Sequence, residues 1–289
     1  MTIFNLGSIN LDHFYTSAHL PVPGETMFAS TYSQGLGGKG ANQSVAIGKS
    51  GAAVFHIGQI GRNDEAHLSL LKEANVNLHF VRPCDDATGH AIVMIDEVSA
   101  ENQILIIQGA NITITSQHIH DALADAGTGD WALTQNETNG TEEFLKLAKD
   151  KGLKLCYSAA PFDKDKLLSV IDMIDLLVVN EIEAAEISSA LGGSPESWPV
   201  PNVIVTKGKD GADYFGAEGQ FHQPAEPVNA IDSTGAGDTY LGFLLGRLSL
   251  GESMKQAMTL AGKAAGIQVT RLGTASAIPD LSELQLDKG

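Results

Sequence analysis

The chain has 289 residues, 43% hydrophobic and only 18% charged, which supplies ample side chain for a large core and excludes disordered, fibrous and low-complexity classes. Eighteen Lys and Arg against 35 Asp and Glu leave a formal net charge of −17, a field that repels nucleic acid and acidic membranes, so an anionic ligand must be gathered locally. Cys84 and Cys156 form no disulfide framework or zinc pattern, and no apolar run or basic leader suggests a membrane span or targeting segment, so the expected setting is the cytoplasm.

Thr2 to Gly7 is a short apolar run ended by glycine, the pattern of a buried parallel strand with Asn10 and Asp12 just past its carboxyl end. From Ser8 to about Gln34 polar and apolar residues alternate around Pro21, Pro23 and Gly24, as in a half-exposed ribbon. His90 to Asp96 and Gln103 to Gln108 read as a hairpin. The two stretches, about 11–36 and 88–109, are expected to form a small β-lid inserted in the body of one domain spanning 1–289. Its open edges are expected to pair with a second copy, giving a homodimer.

Elsewhere, helix and strand candidates alternate. Asn42 to Lys49, Glu65 to Ala74 and Glu142 to Asp150 suit helices, and the apolar runs at 54–57, 130–134, 153–158, 176–180 and 202–206 suit strands. Two long helices, Gly237 to Ser249 and Ser253 to Thr270, close the pattern. This alternation predicts an α/β fold with a mostly parallel sheet covered by helices. Ligands would then gather beyond the carboxyl ends of the strands, near Asn10, Ser158, Asn180 and Thr206.

Asp232-Ser-Thr-Gly-Ala-Gly-Asp238 opens the first long helix. Small residues at Gly235, Ala236 and Gly237 let the backbone approach a ligand, and the helix start aims amides at it, making an anion hole. Asp238 could take a proton there, or could simply cap the helix. Gly35-Leu-Gly-Gly-Lys-Gly40 satisfies G-x-G-x-x-G, but Ser30 to Gln34 is no buried strand, and neither the dinucleotide nor the Walker A pattern holds. Thr206 to Gly211 reads as a tight turn whose glycines could face a ligand. The nine histidines show no metal spacing, and Ser158 lacks a nucleophile elbow.

Taken together, Gly7-Ser-Ile-Asn10-Leu-Asp12, Gly37-Gly38-Lys39-Gly-Ala-Asn42, Asn180-Glu-x-Glu183, Thr206-x-Gly208 and Asp232 to Asp238 resemble the PfkB carbohydrate kinase family over the whole chain, its ribokinase branch above all. The resemblance implies a ribokinase-like three-layer α/β/α body with a β-lid. It also implies phosphoryl transfer from ATP with Mg²⁺ to a sugar's primary hydroxyl, D-ribose foremost. Asp238 then corresponds to the catalytic base and Gly235, Ala236 and Gly237 to the anion hole. Asn10, Asp12, Gly38, Lys39, Asn42 and Glu137 correspond to sugar contacts, Gly38 and Lys39 mainly through backbone. Asn180, Thr206, Gly208 and Gly211, with Gly237, correspond to the nucleotide side, and Glu183 to a water-mediated Mg²⁺ contact. Asp232, Thr234, Arg271 and Gly273 resemble a loop that ligates a monovalent cation, K⁺, with Ala277 standing where ribokinases commonly carry a serine ligand. Gly262 replaces a histidine often found near adenine, and the Gly192 to Asn202 stretch is short and proline-rich. Rival readings are a PfkB kinase for another pentose, a ketohexose or a nucleoside, a non-catalytic sugar or nucleotide sensor, and a dehydrogenase.

Overall fold

The computed structural model describes residues 1–99 and 101–284; Ala100, in the expected lid turn, and the last five residues of the expected domain lie outside the described residues. In chain order the elements are β1 (Thr2–Leu6), β2 (Asn10–Ser17), β3 (Thr31–Gly37), α1 (Lys39–Lys49), β4 (Ala53–Gly61), α2 (Ser69–Glu73), β5 (Asn77–Cys84), β6 (Gly89–Asp96) and β7 (Asn102–Ile107). Then come α3 (Ser116–Ala122), β8 (Trp131–Thr134), α4 (Thr141–Asp150), β9 (Lys154–Ser158), α5 (Lys164–Val170), β10 (Leu176–Asn180) and α6 (Glu181–Leu191). The chain continues through β11 (Asn202–Thr206), β12 (Ala212–Gly216) and β13 (Gly219–Gln223) to α7 (Ala236–Ser249) and α8 (Met254–Gln268).

One sheet runs β13-β12-β11-β10-β9-β8-β1-β4-β5. It is parallel from β5 to β11 and antiparallel in the β11-β12-β13 meander. Its central strands are the continuous apolar runs because both faces are covered, and alternate residues feed two cores. Leu133, Cys156, Val178 and Ile204 pack on the side of α1, α7 and α8, while Ala132, Leu155, Val179 and Val205 pack on the side of α3 to α6. The expected three layers follow. β5 is an edge strand that hydrophobic periodicity misses, since its side chains are all partly or fully exposed. The expected helix at 65–74 begins as a 3₁₀ turn, Glu65–Leu68, before α2.

The second sheet runs β3-β2-β6-β7. The two ribbon segments lie side by side in it as antiparallel pairs, β2 with β3 and, as the expected hairpin, β6 with β7, and the parallel pairing of β2 with β6 joins them into one sheet. Among the described residues no helix is long and apolar enough to cross a membrane.

Helices α1 and α7 cross closely on the body. A Cβ added at Gly242 would lie 2.3 Å from the Ala46 Cβ and 2.8 Å from the Gln43 carbonyl oxygen, so only glycine permits this approach. That crossing sets the first turn of α1 against the first turn of α7.

Candidate active site

Gly235 is the N-cap of α7, in the left-handed region at φ 82°, a conformation that favours glycine. The Ala236 amide turns back to the Ser233 carbonyl at 3.2 Å, so this one member of the expected anion hole is engaged within the loop. The Gly235, Gly237 and Asp238 amides donate to no group among the described residues, and a Cβ at Gly237 would meet nothing within 4 Å. Unspent donors at a helix start facing open space form a place for an anion.

Asp238 is not the cap. It lies three residues inside the helix, 9% exposed, and its two carboxylate oxygens accept hydrogen bonds from α1: Oδ2 from Asn42 Nδ2 at 3.0 Å and Oδ1 from Gln43 Nε2 at 2.9 Å. Gln43 Oε1 accepts from Gln135 Nε2 at 2.7 Å, and Gln135 Nε2 also donates to Asn5 Oδ1 at 2.9 Å. Asn5 donates to Ser44 Oγ at 2.8 Å, and Ser44 meets His56 Nδ1 at 2.8 Å. Burial pushes His56 down to about 4, so the ring is neutral near pH 7 and can donate from Nε2 to the Gly7 carbonyl, 3.1 Å away. A wholly protein-made polar chain thus fixes the Asp238 carboxylate, and of its members the Asn42 and Gln135 side-chain oxygens are left without a partner among the described residues. Gln43 and Asn5 are not marked by the sequence alone, and Gln135 stands out there only as a polar residue following a strand. The available signal was two consecutive amides on an otherwise apolar, small-residue helix.

Around Asp238 the structure gathers most of the predicted sugar residues. Asn42 Oδ1 is buried and has no partner among the described residues, an acceptor left free for a hydroxyl donor. Asn10 Oδ1 accepts from Asn111 Nδ2 at 2.7 Å, a further residue that the sequence alone does not mark. Burial and then the neighbouring Glu137 charge push the Asp12 carboxyl up to about 6. Asp12 lies against Gly37 of the adjoining strand, whose added Cβ would sit 2.0 Å from Asp12 Oδ2. Glu137 Oε2 accepts from Ser8 Oγ at 2.5 Å and from the Lys39 amide at 2.9 Å. The Lys39 backbone is therefore spent on Glu137, contrary to the expected backbone contact with sugar, and its ammonium is the group left to act. Asp238's charge, then Glu137's and Glu183's, hold that ammonium above its usual range against the opposing effect of burial. Ser158 is buried at the end of β9 and makes no side-chain hydrogen bond to any of these residues.

On the other side of the anion hole, Thr206, Gly208, Gly211, Ala236, Gly237 and Tyr240 line one cavity of about 590 Å³ together with Gly262 and Gly266 of α8. Its walls are largely apolar and glycine-rich, suited to a flat heterocycle. A larger groove of about 860 Å³ over α4 and α5 contains none of the chemistry described and is open. Asn180 pairs in register with Thr206, and with Glu183 it forms a full capping box: Asn180 Oδ1 accepts the Glu183 amide and Glu183 Oε2 accepts the Asn180 amide, each at 2.9 Å. Burial raises the Glu183 carboxyl, while Lys39 opposes that rise.

The expected cation loop is the clearest correction. The carbonyls of Thr234 and Gly273 both accept from the side chain of Gln268, at 2.8 and 3.1 Å. Asp232 accepts the amides of Thr234 and Gly273, at 2.9 and 3.2 Å. Arg271 turns its guanidinium to the Ala277 carbonyl and Glu283. The oxygens of Asp232, Thr234 and Gly273 that would have to converge on K⁺ are bonded to N–H groups of the chain, and the Arg271 side chain brings a positive charge rather than an oxygen, so these residues do not fit as a cation cage.

A model of the pfkB family of carbohydrate kinases matches residues 2–281. This chain belongs to the PfkB family. Its activity class is therefore ATP-dependent phosphoryl transfer to a carbohydrate. The chain is 31% identical to the ribokinase of Haemophilus influenzae, over 98% of this chain and 96% of that one. The ribokinase of Cryptococcus neoformans var. grubii, solved with ADP, superposes with a TM-score of 0.87 at 26% identity, covering 98% of each chain. The Arabidopsis thaliana ribokinase complexed with ribose and ATP gives 0.84 at 26% identity, covering 98% of this chain and 96% of that one. The fold is the ribokinase fold, with the second sheet in the place of the expected lid.

Proposed function

We propose that this protein transfers the γ-phosphoryl group of ATP to the primary hydroxyl of D-ribose, forming ribose 5-phosphate and ADP. The observation that carries the reading is the placement of Asp238, held by Asn42 and Gln43 between a cluster of hydroxyl-reading side chains and a cavity suited to a nucleotide. The likeness to ribokinases solved with ADP or with ribose and ATP supports the choice of both substrates.

In this reading Asn10, Asp12, Asn42 and the Lys39 ammonium bind the sugar hydroxyls and orient the primary one toward Asp238. Asp238 Oδ accepts the proton of that hydroxyl as its oxygen attacks phosphorus. The Gly235, Gly237 and Asp238 amides then face the charge that builds on the transferred group, which is the main demand phosphoryl transfer makes on a protein. The two strand pairs of the second sheet, within one kinase domain, cover the sugar and exclude water. Among the described residues no group of three His, Cys, Asp or Glu gathers as a metal site. The second carboxylate oxygen of Glu183, Oε1, stands outside the capping box with Asn180 and suits a hard cation held mainly by phosphate and water. Mg²⁺ bound there would neutralise phosphate charge.

The exposed strand β7 presents Ile104, Leu105, Ile106 and Ile107, each at least 45% exposed, on the edge of the lid sheet. An apolar edge of this kind supports a homodimer formed through the lids. The deciding experiment is ADP release with ribose, 2-deoxyribose, fructose and adenosine as acceptors. Ribose should give the highest kcat/KM, and a higher value for adenosine or fructose would overturn the assignment.

A further inference from the structure

We infer that Gln268 is a positioning residue that does with an amide what a monovalent cation would otherwise do, so that this enzyme reaches its full rate without one. The inference rests on the kinase reading above. Gln268 is the last residue of α8 and is fully buried. Its Nε2 donates to two carbonyls at once, Thr234 O at 2.8 Å and Gly273 O at 3.1 Å. Thr234 directly precedes Gly235, the left-handed cap whose conformation aims the anion-hole amides. Gly273 belongs to the turn that follows α8, and its neighbour Thr274 donates to the Leu36 carbonyl of β3 at 3.0 Å. One side-chain nitrogen therefore ties the anion-hole loop to a turn anchored on the lid sheet.

The rest of the junction is closed in the same manner. Val269 O accepts the amides of Ile231 and Asp232 at 2.7 and 3.1 Å, and the Asp232 carboxylate accepts those of Thr234 and Gly273. Two carbonyl oxygens brought together repel unless a positive group stands between them. An amide N–H₂ has two donors in one plane and can serve both. Ala277 is 2% exposed and contributes only a methyl group, so the oxygen set is also one hydroxyl short of a cation cage. Gln268 Oε1 accepts from no group among the described residues. Turned over, the same side chain would aim Oε1 at both carbonyls, and three converging oxygens would require a cation. The two orientations give opposite ion dependence.

The test has two readouts, initial rate and thermal unfolding, each in KCl, NaCl, CsCl and tetramethylammonium chloride at about 0.1 M ionic strength. For the unaltered enzyme both should be the same in all four salts. Gln268→Glu keeps the shape but places a carboxylate against the two carbonyls. It should lose roughly tenfold to a hundredfold in kcat in tetramethylammonium, as when an anion-hole donor is misplaced, and recover both rate and melting temperature in K⁺. Gln268→Ala combined with Ala277→Ser is the second variant, which should acquire K⁺ activation in an enzyme that had none. A K⁺-specific rise in rate or melting temperature of the unaltered protein overturns the inference, as does a failure of both variants to respond to any cation. Because unfolding reports ion binding without turnover, a protein that phosphorylates no sugar would refute the kinase reading while leaving the ion result readable.

Discussion

Replacing Asp238 with asparagine separates a base from a structural carboxylate. In the native site each Asp238 oxygen accepts from one amide, Asn42 Nδ2 at 3.0 Å and Gln43 Nε2 at 2.9 Å. In Asp238→Asn the new side chain would offer one oxygen and one N–H₂ group, so one of these donors must turn away or go unpaired. Gln43 is pinned by Gln135 at 2.7 Å, whereas Asn42 Oδ1 has no partner among the described residues. The Asn42 amide can therefore flip, present Oδ1 to the new N–H₂ group and restore the pairing. Losing a hydrogen bond to a charged group costs about 1.5–3 kcal/mol, but the variant also removes a buried charge that had to be desolvated, and these effects oppose each other. The melting temperature should consequently shift by only a few degrees. Loss of the proton acceptor is not compensated by anything, and kcat should fall by ~10²–10⁴. Calorimetry should show sugar and ATP still binding within a few-fold of the native affinity, and coupled ADP assays should give the rate. A kcat loss below tenfold with intact binding would refute the assignment of the base.

Asp12 gives a pH prediction with a definite sign. Its folded value near 6 lies above the usual 3.8, so ionising it costs more in the folded protein. Relative to Asp12→Asn, native stability should fall as pH rises from about 4 through about 6 and then level off. A sugar hydroxyl that donates to the carboxylate favours the ionised form, so ribose affinity should rise over the same window with release of about half a proton near pH 6. Calorimetry in buffers of different ionisation heat measures this, and equal proton release by native and Asp12→Asn protein would remove Asp12 from the sugar site. Gly37→Ala drives a Cβ into the Asp12 carboxylate. It should raise the ribose KM by roughly 10- to 100-fold, the cost of a lost buried hydrogen bond, with a smaller effect on kcat. A KM within twofold of native would show that Asp12 does not hold the sugar. Ile106→Glu, on the exposed edge strand β7, should convert a sedimenting dimer to a monomer, and a native protein that is monomeric at every concentration would dispose of the lid interface.

The parts of this protein legible in its sequence are those whose meaning is local. Strands β8 to β11 read clearly because burial on both faces makes them unbroken apolar runs, and the start of α7 reads clearly because a left-handed cap followed by free amides demands small residues in succession. Strand β5 did not, since a half-exposed edge has no strong period. The way the lid segments join was equally hidden, because the parallel pairing of β2 with β6 unites strands that lie far apart in the chain, Asn10 opposite Gly89. The site divides along the same line. Asp238 was identifiable from its own loop, but its partners Asn42 and Gln43 lie 196 and 195 positions away, and only the glycine crossing of α1 and α7 brings them there.

Gln268 shows why residue-by-residue transfer from a family can mislead even where the fold transfers whole. Read alone, Ala277 is a missing cation ligand and predicts a looser cage. Gln268 then counts as one polar residue near the end of a helix whose buried positions Leu260, Ala264 and Gln268 recur every four residues. In three dimensions the two positions belong to one junction. Where a hydroxyl is absent, an amide from the preceding helix meets the carbonyls that a cation would have screened. The electrostatic requirement is unchanged, since a positive group must stand between Thr234 O and Gly273 O where the two carbonyls converge. What differs is whether that group is supplied by solvent or by the chain. A chain-borne donor makes the anion hole independent of ion concentration, and that property can be selected without altering any residue that touches substrate.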